Sequence, residues 1–590
     1  MNELIIPLRS QPGVARDGTQ LGTEFYSAAQ WTRFERGLPR KMWAYRTINK
    51  YLQGIPRALH NYALDSLIHL HSGSAARLER FTLDGDFNTS TISNRTPGTL
   101  TASTNNIWQF DVSYKTGTGL KLVAQVAPNL TDIANSTGGQ LFQGAFNAAT
   151  GLTGITGIAL PSAYSLTGGI VTLQPYTLAF GSEGFIMWTP DPVDYTVAGA
   201  GTAYVTGQKI VRGLPLRAGG GNSPAGLFWS LDALVRATYV GGTPVFNFDT
   251  ISAFSSILAP RSVVEMDGVY FWLGTDRMLM FNGVVREIPN NYNLGFFYRT
   301  LNRTHAQKVF AFKVPRFGEI WWCFPKDDST EPNHAIIFNV RENVWYDTAL
   351  PGMGRSAATF APTISKPILS GVDPLDYICS AVAITAAGTG YAAGNTLDVV
   401  GGTSTVPVEI TVLTVGGGGD ILTVSISNAG QYTATPTNPV SVTGGAGTGA
   451  TFTLTFVQPY NLWVHEHGLD EVDGSNILPV QSYFETGEIS IPTNLPILDP
   501  PQNRSLQVLA LEPDFTQTGD MSVTVLGRSN ARAADVEETS ITFGADTEMV
   551  HLKAQRRQLR FRFESNTLGG DYEMGLNLIH VRAGDGRTRT

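Results

Sequence analysis

The chain has 590 residues, of which 42% are hydrophobic and 15% charged, with 63 glycines, 32 prolines and a formal charge of −8. That length exceeds one hydrophobic core, and the scarcity of charge with so many turn formers disfavours a helical enzyme. The acid excess argues against a dedicated nucleic-acid binder, which presents a basic face, although an acidic wall lets DNA slide past without sticking.

Two cysteines, Cys323 and Cys379, cannot build a disulfide framework, so packing must supply the stability, as suits folding in a reducing cytoplasm. Met1–Arg9 has no signal-peptide core, and no apolar run approaches the roughly 18 residues of a membrane helix. The expectation is a soluble chain without a membrane anchor.

Residues 1–60 interleave Trp31, Phe34, Trp43, Tyr45 and Tyr51 with Arg33, Arg36, Arg40, Lys41, Arg46 and Lys50. Guanidinium stacking within the fold accounts for such a mixture. Ile68, Leu70, Leu78 and Phe81 then alternate around a Ser-Gly-Ser turn, a first hairpin. Between 122 and 182 Asp132 is the only Asp, Glu, Lys or Arg. This predicts a low-charge insertion near 90–175, as loops or a weakly patterned β module. Hairpin patterning resumes at Leu178–Trp188. Arg217-Ala218-Gly219-Gly220-Gly221-Asn222 reads as part of a flexible loop near 213–226.

The clearest signal lies in 261–348. Val263–Met266, Asp267-Gly268, Val269–Leu273 and Met278–Phe281 form strand, tight turn, aromatic strand and third strand. The same grammar returns at Phe317-Gly318, Glu319–Phe324, His334–Asn339 and Val344–Tyr346. Asp-Gly and Phe-Gly supply the positive φ that short hairpins need. A strand–turn–strand unit repeated at roughly 50 residues marks propeller-like blades. Residues 375–460 hold four acids and no base. They contain a duplication: Ala387-Gly388, Tyr391 and Gly401-Gly402 match Ala429-Gly430, Tyr432 and Gly444-Gly445. This predicts an inserted Gly-rich β domain of two similar halves.

Residues 461–590 supply a closing blade strand and a C-terminal β-sandwich-like module. There Arg560-Phe561-Arg562-Phe563 alternates strictly, arginines on one face and phenylalanines on the other. The whole reads as mostly β. An N-terminal segment and a propeller-like platform of repeated antiparallel blades occupy 1–374, followed by the insert at 375–460 and the closing blade strand and C-terminal module at 461–590.

Few residues point to chemistry. His465-Glu466-His467 lacks the i, i+4 spacing of a helical zinc motif; on a strand the two histidines could share a ligand face, but blade-end polar contacts explain them better. Trp272, Trp321, Trp322 and Trp345 could line a sugar-binding face, but at strand period they suit packing between blades. No nucleophile elbow or phosphate loop with its lysine is present, and no local pair of carboxylates stands out for glycan hydrolysis. The basic cluster Lys553, Arg556, Arg557, Arg560 and Arg562 suits phosphate, or carboxylates within the domain or on a neighbouring subunit. No catalytic, cofactor or metal residue is assigned.

Several stretches together resemble a known family. They are Gln11-Pro12-Gly13, Arg16-Asp17-Gly18-Thr19, Tyr26 with Gln30-Trp31-Thr32-Arg33-Phe34, Arg36-Gly37-Leu38-Pro39-Arg40-Lys41-Met42, Asp267–Arg277, Val464-His465-Glu466-His467-Gly468, Tyr483-Phe484-Glu485-Thr486-Gly487, Glu512-Pro513-Asp514-Phe515, Arg562-Phe563-Glu564-Ser565-Asn566, Gly569-Gly570-Asp571-Tyr572 and Gly584-Asp585-Gly586-Arg587. In that order they resemble the packaged-DNA stabilisation, or tail nozzle, proteins of short-tailed bacteriophages. The resemblance implies a non-enzymatic structural protein of the virion tail, assembled in the host cytoplasm. It implies a homo-oligomeric ring of six below the tail adaptor ring, beside tail fibres or tip proteins. That ring would hold packaged double-stranded DNA in its channel and open for ejection. Arg217, Gly219, Gly220, Gly221 and Asn222 are then candidates for a gate loop. Two rival readings remain: a carbohydrate-binding tail adhesin or receptor-binding protein, for which the insert and the aromatic runs would speak, and a tail-associated glycan hydrolase.

Overall fold

The computed structural model describes residues 3–19, 24–48, 51–115, 117, 119–128, 139–158, 164–217, 224–242, 244–352, 354–373, 376–490, 505–530 and 532–584. Nearly every element is a strand, and Leu294–Thr300 is the only α-helix among the described residues. Two compact units result: one of 1–50, 56–370 and 462–590, the other of 51–55 and 371–461.

The first unit contains a β-propeller of seven antiparallel sheets. Blade one begins at Ala58–Leu64, blade two at Asn106–Lys115, blade three at Gly169–Leu173 and blade four at Ile210–Pro215. Blade five begins at Val264–Met266, blade six at Phe310–Val314 and blade seven at Arg355–Ala361. The first strands of blades one to four run beside one another, as do those of blades five to seven, and Arg355–Ala361 returns to Ala58–Leu64. Between blades the faces are apolar. Val211, Leu227 and Trp229 of blade four pack on Val263, Tyr270 and Trp272 at blade five.

The seventh blade closes the ring with a borrowed strand. Its first two strands are Arg355–Ala361 and Lys366–Val372, its third is Tyr460–His465, and its fourth is Tyr45–Thr47. Trp463 pairs with Thr47 and His465 with Tyr45. A segment that precedes blade one thus completes blade seven, so backbone hydrogen bonds hold the two ends of the ring together.

The low-charge stretch near 90–175 is not an insertion. It builds blade two, Asn106–Lys115, Gly119–Pro128, Gln140–Ala145 and Thr153–Gly154, and opens blade three. Strands enclosed between two blades bury both faces, so neither face needs charge. Leu122, Val123, Ala124, Val126 and Ala127 in succession are buried. The flexible loop placed near 213–226 is likewise shorter on both sides. Ile210–Pro215 and Ala225–Ser230 are paired strands, Pro215 opposite Gly226.

Residues 1–41 join 482–583 in a β-sandwich module. Ala28–Gln30 pairs with Ser482–Glu485, which pairs with Gln558–Ser565 and through it with Met521–Arg528. Leu4–Pro7 edges the facing sheet beside Leu578–Ala583. Phe561 and Phe563 enter the core with Val523, Val525, Val508 and Val581. That core continues without a break into Trp321, Cys323 and Tyr346 of blade six and Trp463 of blade seven.

The second unit is a six-stranded sheet with a two-stranded companion, Thr403–Val406 against Gln431–Ala434. Its core holds Leu397, Val399, Ile410, Val412, Tyr432, Phe452 and Leu454. The duplication survives as backbone. Gly401 and Gly402 have φ of 106° and 70°, Gly444 and Gly445 of 97° and 70°, a conformation that side-chain-bearing residues resist. This unit interrupts the hairpin between the second and third strands of blade seven. Its two ends meet where the Asp373 amide donates to the Pro459 carbonyl at 2.8 Å.

Because those ends are adjacent, replacing 374–459 with a short turn should leave the first unit folded. A single cooperative melt within a few degrees of the full chain is expected by circular dichroism. An insoluble product would show that the insert is part of the closing blade's stability.

Candidate functional site

The most concentrated polar chemistry lies where the sandwich meets blades six and seven. Thr32–Glu35 is a strand of the sandwich module, and it carries Arg33 into a site that water does not reach: Arg33 is 1% exposed. Its Nε and Nη2 donate to Glu319 of blade six at 2.8 and 3.2 Å. Its Nη1 and Nη2 donate to Glu466, just past the third strand of blade seven, at 3.0 and 2.5 Å. The guanidinium also lies over the Phe317 ring at 3.7 Å. Glu319 is further held by Trp321 Nε1 at 2.9 Å and Tyr346 OH at 2.7 Å. Burial would discharge Arg33, but Glu319 and Glu466 raise its pKa instead. Burial pushes the Glu466 carboxyl up although Arg33 opposes it.

A second clamp runs parallel. Arg16 Nε and Nη2 each donate to an Asp347 oxygen at 3.0 Å, and His334 Nε2 lies 2.9 Å from Asp347. Burial favours a neutral Asp347, yet Arg16 and His334 outweigh it and hold the carboxyl down to about 2. Thr32, Ser482 and Tyr572 form a buried hydroxyl cluster, with both oxygen contacts to Tyr572 at 2.7 Å. Lys41 Nζ donates to the Gly570 carbonyl at 2.6 Å.

His465-Glu466-His467 is part of this joint rather than a metal site. His465 Nε2 accepts from Arg355 Nε at 3.1 Å, and burial and that cation hold its pKa far down. His467 is pushed to about 4 by burial, Lys366 and Arg46. No group of three potential metal ligands occurs among the described residues. Glu319 and Glu466 do converge, but both are committed to Arg33, so no sugar ring fits between them. Trp272, Trp321, Trp322 and Trp345 are all buried. Trp322 stacks on Trp345 with centroids 5.9 Å apart, and the indole of Trp272 donates to Ser256 O at 3.0 Å.

The basic cluster meets acids of its own chain. Arg556 reaches Glu538 at 2.5 Å. Arg560 reaches Asp535 at 2.7 Å and Glu485 at 3.3 Å. Arg562 reaches Glu564 at 3.2 Å and stacks over Tyr483 at 3.7 Å. Lys553 is exposed and Arg557 half-buried. Of the gate candidates, Gly219, Gly220, Gly221 and Asn222 lie outside the described residues. The Arg217 amide donates to Tyr270 OH at 3.1 Å, on blade five.

Sequence reasoning missed the Arg33 clamp. One signal was available: Glu319 is a lone charge in Phe317-Gly318-Glu319-Ile320-Trp321-Trp322, and a carboxylate in such a strand needs a buried cation.

No family model matches the chain, and no curated protein does. Among solved structures it is similar to the WD40 β-propeller domain of Doa1, at 11% identity and TM-score 0.33 over 55% of this chain and 93% of that one. It is similar to BBS1N, solved in complex with ARL6DN, at 8% identity and TM-score 0.35 over 56% and 95%. It is also similar to the extracellular domain of the putative one component system BT4673 from B. thetaiotaomicron, at 11% identity and TM-score 0.37 over 62% of this chain and half of that chain. The blade assignment rests on this chain's own strand pairing.

Removing one member of a buried ion cluster strands the rest. Arg33→Met should cost about 3–5 kcal/mol in urea unfolding. Arg33→Met combined with Glu319→Gln and Glu466→Gln should recover part of that loss, and a triple variant no more stable than the single one would discount the charge argument. Asp347 gives a pH signature. Its folded pKa lies below the unfolded value, so its stabilisation is complete above about pH 5 and is lost as pH falls through 4 toward 2, by about 2 kcal/mol. Stability measured against pH should therefore fall more steeply across that window for the natural chain than for Asp347→Asn.

Proposed function

We propose that this chain is a tail nozzle subunit of a short-tailed bacteriophage. It assembles as a ring, retains packaged DNA in the tail channel and releases it at infection. The observation that carries the reading is where the family-like stretches meet. Arg33 and Glu466 share the buried clamp. Thr32 and Tyr572 share the hydroxyl cluster, Lys41 holds Gly570, and Arg562 stacks on Tyr483. Segments far apart in the sequence thus lock two β modules into one rigid body. A part that must resist pressure from confined DNA needs rigidity of this kind more than it needs a reactive group.

One feature favours the adhesin as a second reading. The inserted unit has a cleft of about 280 Å³ lined by Tyr51, Gln53, Ser427, Asn428 and Gln431, groups suited to sugar hydroxyls.

Electron microscopy of tails carrying the chain should show about six copies of 63.6 kDa around an axial passage. Particles assembled without it should lose nuclease-protected DNA. A chain that stays single, is absent from tails and binds a glycan array through 375–460 would replace the nozzle with the adhesin.

A further inference from the structure

The axis of the propeller carries a different chemistry from the joint. A cavity of about 230 Å³ lies there, lined from several blades by His60, Gln109, Arg212, Arg261, Ala311 and Thr359. Two of these are guanidinium groups, and neither forms an ion pair among the described residues. Arg261 spends its Nη atoms on backbone carbonyls: Arg57 O, Ser356 O at 3.3 Å and Lys308 O at 3.2 Å. Arg212 Nη1 donates to Gln109 Oε1 at 3.3 Å. The Nε of each arginine and the Nδ1 of His60 are buried without a partner.

The acids nearby are already occupied. Asp111 accepts from the amides of Thr172 at 2.7 Å and Val112 at 2.8 Å. Glu331 takes both Arg57, at 2.6 and 2.8 Å, and Lys308, at 2.7 Å. Two guanidinium groups, Arg212 and Arg261, thus line the cavity, and no carboxylate is among its lining residues. Burial lowers Arg212 to about 10, and burial together with Arg57 lowers Arg261 to about 9. His60 is lowered by burial to about 4.

Buried charge without a countercharge is expensive, and proteins normally pair it. Here the chain supplies too little of the opposite sign. Each guanidinium has five N–H donors; four on Arg212 and two on Arg261, the Nε–H of each among them, remain uncommitted. Planar donor forks of this sort match the oxygen edges of a tetrahedral oxyanion.

We propose that the axial cavity binds one small oxyanion of the phosphate class between Arg212 and Arg261. The site is separate from the sandwich–propeller joint and does not depend on the nozzle reading.

Titration calorimetry of the full chain with inorganic phosphate, in chloride buffer of matched ionic strength, tests it. One saturable site per chain is expected, with melting temperature rising as phosphate is added. Arg212→Gln should weaken phosphate binding at least tenfold, while melting in chloride alone no lower than the natural chain because it removes an uncompensated charge. Arg261→Gln should weaken binding likewise; should it fail to fold for want of its carbonyl contacts, Arg212→Gln decides. The absence of saturable heat, or natural affinity in Arg212→Gln, overturns the proposal.

Discussion

Three side chains, Arg33, Glu319 and Glu466, determine how the sandwich module and the propeller meet. Each comes from a different part of the chain, and all three are buried. Desolvation offsets most of the attraction in such a cluster, so its net contribution over an apolar contact is small. Its larger effect is on alternatives. Any arrangement that moves the strand Thr32–Glu35 away from blades six and seven leaves two carboxylates and a guanidinium buried unpaired, or exposes the apolar core that surrounds them. The Arg16–Asp347 clamp and the Thr32–Ser482–Tyr572 hydroxyls repeat the same logic nearby. The joint is specified redundantly.

The blades were legible in the sequence where one feature stood out against another. In 263–281 and 317–346 aromatic strands alternate with Gly turns, and the turn at Asp267-Gly268 does adopt positive φ. The stretch 122–182 was illegible for a physical reason. A strand packed between two blades has no wet face, so it shows neither alternation nor charge, and its composition resembles that of a loop. The joint was illegible for another. Arg33 is 286 residues from Glu319 and 433 from Glu466, and no local pattern reports so distant a partner. Alternation correctly placed Phe561 and Phe563 inside, but it could not reveal that Glu485 and Asp535 wait opposite Arg560.

The path of the chain explains why both ends matter to one joint. Residues 1–41 are built into the sandwich, Tyr45–Thr47 closes the propeller, and the chain then circles through six blades. It completes the seventh around its own earlier strand before returning to the sandwich. Blades one to six pair strands adjacent in sequence, but the sandwich and the Tyr45–Thr47 strand of blade seven pair across the chain, so the closing blade cannot form until the circuit is nearly complete. The ordering cost falls late, and a cooperative body is the result.

That closing blade also tolerates the largest interruption in the chain. The inserted unit enters and leaves through neighbouring strands, and its own core of Leu397, Ile410, Tyr432 and Phe452 is satisfied internally. A hairpin connection with both ends adjacent can lengthen at small entropic cost, because the ladder that fixes the blade lies outside the loop. The propeller's geometry and the insert's surface can therefore change independently. The ring is held by Trp463 opposite Thr47 and by the Arg33 clamp, and neither involves the insert. The ladder and the clamp that fix the first unit are thereby separate from the insert's own core within one polypeptide.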